Sequence, residues 1–458
     1  MLPYTLRNRR SGSNKSFSSV KMVVSDTANK IRRLPYKVQC FLISTCIISI
    51  YVYGGLIMSL KTNHLKTESF LETDKCPACF GHSICVVLKT ERIQLTGWSK
   101  VRLLDIVNIK NVHTARHLDN GDQIMIKKLA HNKEYENIDE KICRDANRPK
   151  GCDVARILHI TNIGDQIKQL GLLPEHLVKT NHMFACPTYS LIDRIFTFYQ
   201  EKLMSDKDQY FTRDKLQIYA TALINPEPLM LQTFPAYDGW PFPTYYGACG
   251  RYIAVSYEGE PLQNFFYEPF HKRADIAYQI MKMADKLTNA GEQFILYWTD
   301  LNFENFVVDS SGKVTLVDLE DIIVVDRDAV ARNKPKKGWD ELHQSSFDHC
   351  NGKNCLTFDP DALCSHVNSD HNYYAACRNI LSDYANEPSL GLMGGLLHDM
   401  PNYAKDDWDL EHMLHECTHG STSGGRMKIK DQIIDGLKNL RNVKDKNDIA
   451  GGKRLHDS

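Results

Sequence analysis

Three oxygen-bearing side chains in the second half of the chain have types and spacing suited to a phosphate-bound metal ion. Asp300 opens the stretch Asp-Leu-Asn-Phe-Glu-Asn that ends at Asn305, and Asp318 follows thirteen residues later. A carboxylate can orient an attacking hydroxyl and take its proton, and carboxylate and amide oxygens are ligands that Mg²⁺ and Mn²⁺ accept. Because Asp and Asn also favour turns, the spacing of Asp300 and Asn305 alone is weak evidence.

The residues between Asn305 and Asp318 predict a β-hairpin. An apolar run, 306–308, is followed by the turn-forming stretch 309–312, which contains a glycine, and by a second apolar run, 313–317. Two short apolar runs joined by a Gly-containing turn are typical of antiparallel strands. A hairpin of this length returns the chain to its starting point, so we expect all three side chains around one point.

A lysine that can contact phosphate ends the strand predicted at 123–127. The Asn-Gly turn at 120–121 separates this strand from another apolar run, 112–118, which favours a hairpin. Lys127 is the first candidate and Lys128 is the alternative, because side chains alternate across a strand and only one of the two can point into a cleft. A pair of solvated lysines at the end of a strand is the other interpretation.

A lysine in a phosphate site needs an acidic partner, and the helix predicted at 134–143 offers three. Glu140 is the candidate that we favour, while Glu134 and Glu136 compete with it. An exposed acid on the surface of a helix is the alternative interpretation for each of them.

Two further helices and a strand are predicted around these residues. Apolar spacing indicates helices at 153–170 and 273–290, and the second helix leads to the apolar strand before Asp300. A strand at 251–257 runs into the polar stretch 258–261, which suits a connector between two lobes.

The first 60 residues have the pattern of a membrane anchor. Residues 1–37 are strongly basic, and residues 38–60 contain no charged side chain, a length that suffices to cross a bilayer core. Basic residues before the apolar run favour a cytosolic N-terminus and a lumenal body, as in a type II single-pass protein. A cleaved signal peptide, which would release a secreted protein, is the alternative.

Cysteine usage agrees with an oxidising compartment. Of fourteen cysteines, Cys40 and Cys46 lie in the apolar run and twelve follow it. An even set favours disulfides, each of which stabilises a fold by about 2–4 kcal/mol. Structural disulfides are also expected for Cys76-Pro-Ala-Cys79 and Cys85, with two alternatives: a redox motif or, with His82 as the fourth ligand, a zinc site. The formal net charge of +0 gives no sign of nucleic-acid binding.

These segments together resemble the divergent protein kinase domain family of the animal secretory pathway, closest to the branch that includes the deleted-in-autism protein. The resemblance covers about residues 75–420. The segments that carry it are 75–81 (KCPACFG), 297–306 (YWTDLNFENF), 317–322 (VDLEDI), 361–364 (DALC) and 370–375 (DHNYYA).

The family implies an α+β fold, the two-lobed protein-kinase-like fold, here with a Cys-rich N-terminal collar and a C-terminal extension. A transmembrane helix is expected to precede it. The expected organisation is a basic cytosolic tail (1–37), a membrane anchor (38–60), a stem and Cys-rich collar (61–97), an N-lobe with an insert (98–257), a C-lobe with a Cys-rich region (258–420) and a polar tail (421–458).

The resemblance also implies roles for the candidate residues. Asp300 would be the catalytic base, and Asn305 and Asp318 would be the metal ligands. Lys127 would hold phosphates with Glu140 as its brace. Backbone groups of the connector, at Tyr257 and Glu258, would meet the adenine of ATP.

Several positions depart from the kinase pattern. Thr299 replaces the arginine that usually precedes the catalytic aspartate, and Asp318-Leu-Glu320 replaces Asp-Phe-Gly. Residues 101–118 contain no glycine, so no Gly-rich phosphate loop precedes the lysine. The added acids Glu320 and Asp321 would bind a second cation or face solvent.

The expected function is therefore that of a secretory-pathway kinase-like protein. It would bind ATP with Mg²⁺ or Mn²⁺ and phosphorylate lumenal or secreted proteins, from the Golgi or endoplasmic reticulum membrane or after secretion. A catalytically inactive pseudokinase that acts as a binding or signalling module is one alternative, and an AMP transferase is another.

Overall fold

The computed structural model describes residues 35–38, 40–41, 44–49, 64–90, 92–96, 112–201, 212–289, 293–347, 356–387 and 391–443. Several predictions from the sequence lie wholly or partly outside these residues. They are the basic tail, much of the apolar run 38–60, the glycine-free stretch before residue 112 and the end of the polar tail after residue 443.

The chain divides into two units, and the first contains the described N-terminal residues 35–38, 40–41 and 44–49. Its described residues between 36 and 49 are helical. Among all the residues that the structure describes, no helix combines the length and the apolar character needed to span a membrane.

The second unit contains every named strand. They are β1 (Ile93–Leu95), β2 (Val112–His117), β3 (Gln123–Lys127), β4 (Tyr245–Cys249), β5 (Tyr252–Ser256), β6 (Glu260–Pro261), β7 (Phe294–Trp298), β8 (Phe306–Val308), β9 (Val314–Leu316), β10 (Ile322–Asp326), β11 (Leu342–His343), β12 (Asn368–Ser369), β13 (Asn386–Glu387) and β14 (Leu392–Met393).

The same unit contains the α-helices that pack around these strands. They are α1 (Glu68–Leu71), α2 (Cys85–Lys89), α3 (Asn132–Asp145), α4 (Val154–Ile157), α5 (Asn162–Leu170), α6 (Pro174–Leu177), α7 (Tyr189–Phe198), α8 (Thr212–Ile224), α9 (Glu227–Thr233), α10 (Phe270–Asn289), α11 (Arg327–Asn333), α12 (Pro360–Ser365), α13 (His371–Ala376), α14 (Asn402–Asp406), α15 (Leu410–His419) and α16 (Gly425–Leu440).

The N-terminal lobe is built on a five-stranded antiparallel sheet with the order β1-β2-β3-β5-β4. The strand predicted at 123–127 is confirmed as β3, and the hairpin through the Asn-Gly turn pairs it with β2. One face of the sheet is buried because Ile124, Ile126 and Ala115 pack there, while the alternating side chains face the other way.

The C-terminal lobe is mainly helical. The long helix predicted at 273–290 is confirmed as α10, and its buried face packs with α13 and α16 into the main apolar core. Two short antiparallel sheets, β7 with β10 and β6 with β8 and β9, lie next to these helices. The mixture of an antiparallel sheet and packed helices confirms the α+β class.

The insert between β3 and β4 differs from its prediction in one place. The single helix expected over 153–170 is wrong, because the chain breaks into α4, a 3₁₀ turn at Leu158–Ile160 and α5. The hydroxyl of Thr161 accepts the Gly164 N–H at 2.9 Å and starts a new helix. A Cβ at Gly164 would lie 2.2 Å from the Leu158 carbonyl oxygen, so glycine permits this tight break.

Five disulfides lie in the described residues and confirm the disulfide prediction for ten of the twelve cysteines. They are Cys76–Cys79, Cys85–Cys249, Cys143–Cys152, Cys186–Cys364 and Cys377–Cys417. The other two, Cys350 and Cys355, lie outside the described part of the chain, and Cys40 and Cys46 are exposed free thiols.

Candidate functional site

The predicted hairpin is present and brings Asn305 next to Asp318. Strands β8 and β9 pair antiparallel, and the Val317 N–H donates to the Asn305 carbonyl at 2.8 Å. The turn is closed by Asp309, whose carboxylate accepts the Ser311 and Lys313 N–H groups at 2.8 and 2.9 Å. Asp318 therefore directly follows Val317, the residue whose backbone is hydrogen-bonded to that of Asn305.

The side chain of Asn305 is 4% exposed, and its Oδ1 accepts the Asn302 N–H at 2.5 Å. This contact closes the short 3₁₀ turn Phe303–Asn305 that starts β8. Asp318 is half-buried, and one of its oxygens accepts the Glu320 N–H at 3.4 Å. Both side chains thus occupy fixed positions at the base of the hairpin.

Lys127 lies at the cavity, but its acidic partner is not the predicted Glu140. Lys127 Nζ lies 2.6 Å from Glu227 Oε1 and donates to the Val317 carbonyl at 3.1 Å. Glu140 instead pairs with Lys150 on the surface and does not brace Lys127. Lys128 points to the opposite side of the strand and pairs with Glu72 at 2.6 Å, as strand alternation requires.

Glu227 occupies the N-terminal turn of α9, a helix in which every residue is buried. The Glu227 N–H donates to Asn225 Oδ1 at 2.9 Å, and Pro228 follows in the first turn, where proline is tolerated. An acid in a fully buried helix needs a cation. The apolar run Pro-Leu-Met-Leu after Glu227 was the sequence signal that could have identified it.

The electrostatics of the cleft are dominated by acids. Burial raises the pKa of Glu227 to about 7, with Lys127 opposing the rise and Asp318 adding to it. Burial, together with the charges of Asp318, Asp321 and Glu227, raises the pKa of Glu320 to about 8. Burial alone would lower the pKa of Lys127, but Glu227 and Asp318 outweigh it and the pKa is raised.

Both added acids contact other side chains, and the side chain of Asp321 is still 37% exposed. Glu320 accepts a hydrogen bond from the amide of Asn225, the residue that also caps Glu227. Asp321 Oδ1 lies 2.9 Å from His182 Nδ1. The Asp318-Leu-Glu320 turn is therefore held on both sides, by Asn225 from one and by the Asp321 contact from the other.

A cavity of about 610 Å³ lies under the five-stranded sheet and ends at Lys127 and Asp318. Its roof is the exposed face of β2 and β3, with Val112, Thr114 and Met125, and Val307 of β8 contributes to its lining. The alternation of side chains across the two strands places all of these roof residues on the same face.

The connector predicted at 258–261 borders this cavity. Tyr257 and Glu258 both line it, as does Gly259. Gly259 has a φ of +129° and approaches β8 so closely that a Cβ would lie 2.2 Å from the Val308 carbonyl oxygen. The backbone of the connector therefore passes along the edge of the cavity, where Tyr257 and Glu258 lie.

The strand before Asp300 is held from below by α13. Asn372 Oδ1 accepts the Trp298 N–H at 3.0 Å, and its Nδ2 donates to the Leu296 carbonyl at 2.9 Å. His371 Nε2 lies 2.6 Å from the Trp298 carbonyl. Burial lowers the pKa of His371 to about 4, so it is neutral and donates through Nε2. This contact explains why the motif at 370–375 accompanies the acids.

Asp300 itself lies on the loop directly after β7 and is half-buried. Thr299, which precedes it, is 5% exposed and donates both its N–H and its hydroxyl to the Asp321 carbonyl, at 3.0 and 2.8 Å. The loop is thus joined to the segment that follows Asp318. Of the predicted site residues, Lys127, Tyr257, Glu258 and Asp318 line the cavity, Asp300 and Asn305 lie on the neighbouring loop and turn, and Glu140 pairs with Lys150 instead.

The collar motif forms a disulfide and not the zinc site that was one of its alternatives. Among the described residues, Cys76, Cys79 and His82 place ligand atoms within 4.8 Å of one another. Cys76 and Cys79 are bonded to each other, however, so two thiolates are not offered to zinc. Both cysteines are buried, which agrees with a structural disulfide.

The comparisons with known proteins bear on this arrangement. A family model described as the protein-kinase domain of FAM69 matches residues 219–420. Divergent protein kinase domain 2A of Xenopus tropicalis is 37% identical over 421 residues, which cover 90% of this chain and 97% of the relative. The chain belongs to the divergent protein kinase domain family.

Other members of the divergent protein kinase domain family match as well. Divergent protein kinase domain 2A of Homo sapiens is 35% identical over 90% of this chain and 98% of its own length. Divergent protein kinase domain 2B of Homo sapiens is 29% identical over 62% of this chain and 67% of its own length. The matched range 219–420 contains Glu227, Asp300, Asn305 and Asp318, whereas Lys127 lies before it.

Proposed function

We propose that this chain binds ATP with Mg²⁺ or Mn²⁺ in the cleft between β3 and the β8–β9 hairpin and transfers a phosphoryl group to a protein hydroxyl. The observation that carries the proposal is the imbalance of charge in the cleft. Within the described part of the chain, the ammonium of Lys127 faces the carboxyls of Glu227, Asp318 and Glu320. A surplus of carboxyls at the end of a cavity suits a divalent cation.

The residues present fit the groups that the family implies. Asn305 and Asp318 offer an amide and a carboxylate oxygen at adjacent positions, a donor set that suits Mg²⁺ or Mn²⁺. A bound cation would neutralise charge on the transferred phosphoryl group. Lys127, kept cationic by Glu227, is suited to hold phosphate oxygens, and the apolar roof of the cavity is suited to a flat aromatic base.

Asp300 is the residue that we assign to the acceptor hydroxyl. It follows a strand fixed by Asn372 and lies on the loop that is joined to the segment after Asp318. A carboxylate held there can orient the hydroxyl and receive its proton. Tyr257 and Glu258 are assigned to the adenine through their backbone groups.

The cellular setting is part of the same proposal. The uncharged run 38–60 after a basic tail favours a type II membrane anchor with the kinase-like domain in the Golgi or endoplasmic reticulum lumen, and secretion is the alternative. The five disulfides support an oxidising compartment. Lumenal or secreted proteins are then the expected substrates.

Calorimetric titration of the purified full-length chain with ATP and Mn²⁺ tests the proposal. We expect saturable binding that Asp318→Asn reduces at least tenfold. Mass spectrometry of the reaction with acceptor proteins then separates transfer of phosphate from transfer of AMP. Binding without any transfer would replace the kinase by the pseudokinase alternative, and no binding of any nucleotide would overturn the proposal.

A further inference from the structure

A histidine from the insert reaches the loop that carries Asp300. His182 begins the 3₁₀ turn His182–Phe184, and its Nδ1 lies 2.8 Å from Thr299 Oγ1 and 2.9 Å from Asp321 Oδ1. The ring also packs edge-on against Phe358, with centroids 5.7 Å apart. The imidazole therefore joins the residue before Asp300 to the segment after Asp318.

The hydrogen bonds fix where the proton of this imidazole lies. The Thr299 hydroxyl donates its own proton to the Asp321 carbonyl at 2.8 Å, so its oxygen is left to accept from His182. The ionised carboxylate of Asp321 can also only accept. Nδ1 must therefore carry the hydrogen that both contacts share, and protonation of the other ring nitrogen adds a full positive charge.

Two acids from the described part of the chain act on the ring. Asp321 is in contact with it, and Asp300 acts on it through space. The hydrogen bond with Asp321 is the main cause that raises the pKa of His182, and the charges of Asp321 and Asp300 add to the rise against the opposing effect of burial. The positive form is thus favoured where the chain has lost the usual arginine.

We propose that His182 is a positioning residue for the loop 299–305, and that its imidazolium supplies the positive charge that kinases usually take from the arginine before the catalytic aspartate. This inference rests on the proposed function, because it assigns Asp300 a role in catalysis. The insert is then more than a spacer, since it completes the catalytic loop.

The sign of the pH dependence follows from the direction of the shift. A histidine whose pKa is raised by folding stabilises the folded loop fully below the unfolded value of about 6.5. The contribution is lost as the pH rises through the higher folded value. The loop should accordingly be ordered at mildly acidic pH and loosen toward alkaline pH.

Hydrogen–deuterium exchange of the full-length chain, corrected for intrinsic rates at each pH, measures how well the loop 299–305 is ordered. At pH 6 we expect His182→Gln to speed exchange in the peptide over 298–306 at least fivefold. His182→Arg should restore protection and keep it up to pH 8.5. Asp321→Asn removes the carboxylate that contacts His182, so it should reduce protection of the same peptide as much as His182→Gln does.

The matched control is His159→Gln, a half-buried histidine of the same insert whose pKa is lowered by burial. It should leave exchange in the loop unchanged. Where turnover is measured, His182→Gln should lower kcat at least tenfold and leave the KM for ATP unchanged.

Equal protection of the peptide 298–306 in His182→Gln and in the unmutated chain would overturn the inference about His182 but not the proposed function. Failure of ATP and Mn²⁺ to bind the unmutated chain would overturn the proposed function, and the exchange experiment would still decide whether His182 orders the loop.

Discussion

Two buried groups of charges in this protein follow opposite rules. Arg426 and Asp370, both fully buried, lie 2.9 Å apart in the C-terminal lobe. The guanidinium also donates to the carbonyls of Ser345, Cys417 and Thr418, and Asp370 accepts the Ser345 N–H at 2.8 Å. In the cleft, by contrast, Lys127 faces an excess of carboxyls.

The difference separates a structural ion pair from a site prepared for a ligand. In the balanced pair, burial raises the pKa of Asp370, but the charge of Arg426 and the hydrogen bonds from Arg426 and the Ser345 N–H oppose that rise. A group of acids with too few cations must bind protons, as the raised pKa values of Glu227 and Glu320 indicate, or bind a metal ion. The first arrangement holds α16 to the lobe, whereas the second suits a cation that enters with a nucleotide.

The largest expected effect comes from breaking the balanced pair. Arg426→Met removes the cation and leaves the buried carboxylate of Asp370 without a compensating charge, so the free energy of unfolding should fall by about 3–5 kcal/mol. Denaturant unfolding with the disulfides intact measures the change. The control Lys141→Met removes an exposed pair with Asp145, 2.8 Å long, and should cost less than about 0.5 kcal/mol. If Arg426→Met lowered the free energy of unfolding by less than about 1 kcal/mol, the Arg426–Asp370 pair would not be the structural ion pair described above.

In the cleft, by contrast, removal of a charged side chain is expected to stabilise the protein. A carboxyl whose pKa is raised by folding opposes folding above its unfolded pKa, and the cost grows up to the folded value of about 8 for Glu320. Without divalent cations, Glu320→Gln should therefore stabilise the protein at pH 8 by on the order of 2 kcal/mol, and hardly at all at pH 4.5.

Thermal unfolding at the two pH values tests this effect. Glu304→Gln, at an exposed acid that lines the cavity ending at Asp318, is the control and should change little. Mn²⁺ should raise the melting temperature of the unmutated chain more at pH 8 than at pH 5.5, because protons compete for the same carboxyls. Destabilisation by Glu320→Gln at pH 8 would show that its charge is compensated in the folded protein.

A smaller effect distinguishes the observed lysine partner from the predicted one. Glu227→Gln leaves Lys127 without its ion pair, and we expect the affinity for ATP with Mn²⁺ to fall about tenfold, or about 1.4 kcal/mol. Glu140→Gln removes only the surface contact with Lys150 and should leave the affinity unchanged. Calorimetric titration of both variants with ATP and Mn²⁺ measures these affinities. Equal affinities of the two variants would mean that the Lys127–Glu227 ion pair does not contribute to nucleotide binding.

The part of the site that is close in sequence could be predicted, and the distant part could not. Asp300, Asn305 and Asp318 lie on one stretch of nineteen residues, whose apolar runs and turn determine how they meet. Lys127 was found because the Asn-Gly turn fixes the register of β3. Local patterns thus specify both walls of the cleft.

The lysine partner was missed because sequence proximity is a poor guide across an insert. Glu140 follows β3 closely in sequence, whereas Glu227 lies 100 residues beyond Lys127. Helices α3 to α8 separate Lys127 from α9, and nothing in their periodicity tells which helix end reaches the strand. His182 was missed for the same reason, since its contact with Thr299 joins residues 117 positions apart.

The disulfide Cys186–Cys364 has a practical consequence for anyone who produces this protein. Cys186 lies four residues after His182, and the bond ties that arm of the insert to α12 across 178 positions. A chain expressed in a bacterial cytosol would lack this link, and the segment that carries His182 would be attached by packing and hydrogen bonds alone. Preparations for enzymology therefore need an oxidising expression host, and a blank assay on reduced material would carry no information about activity.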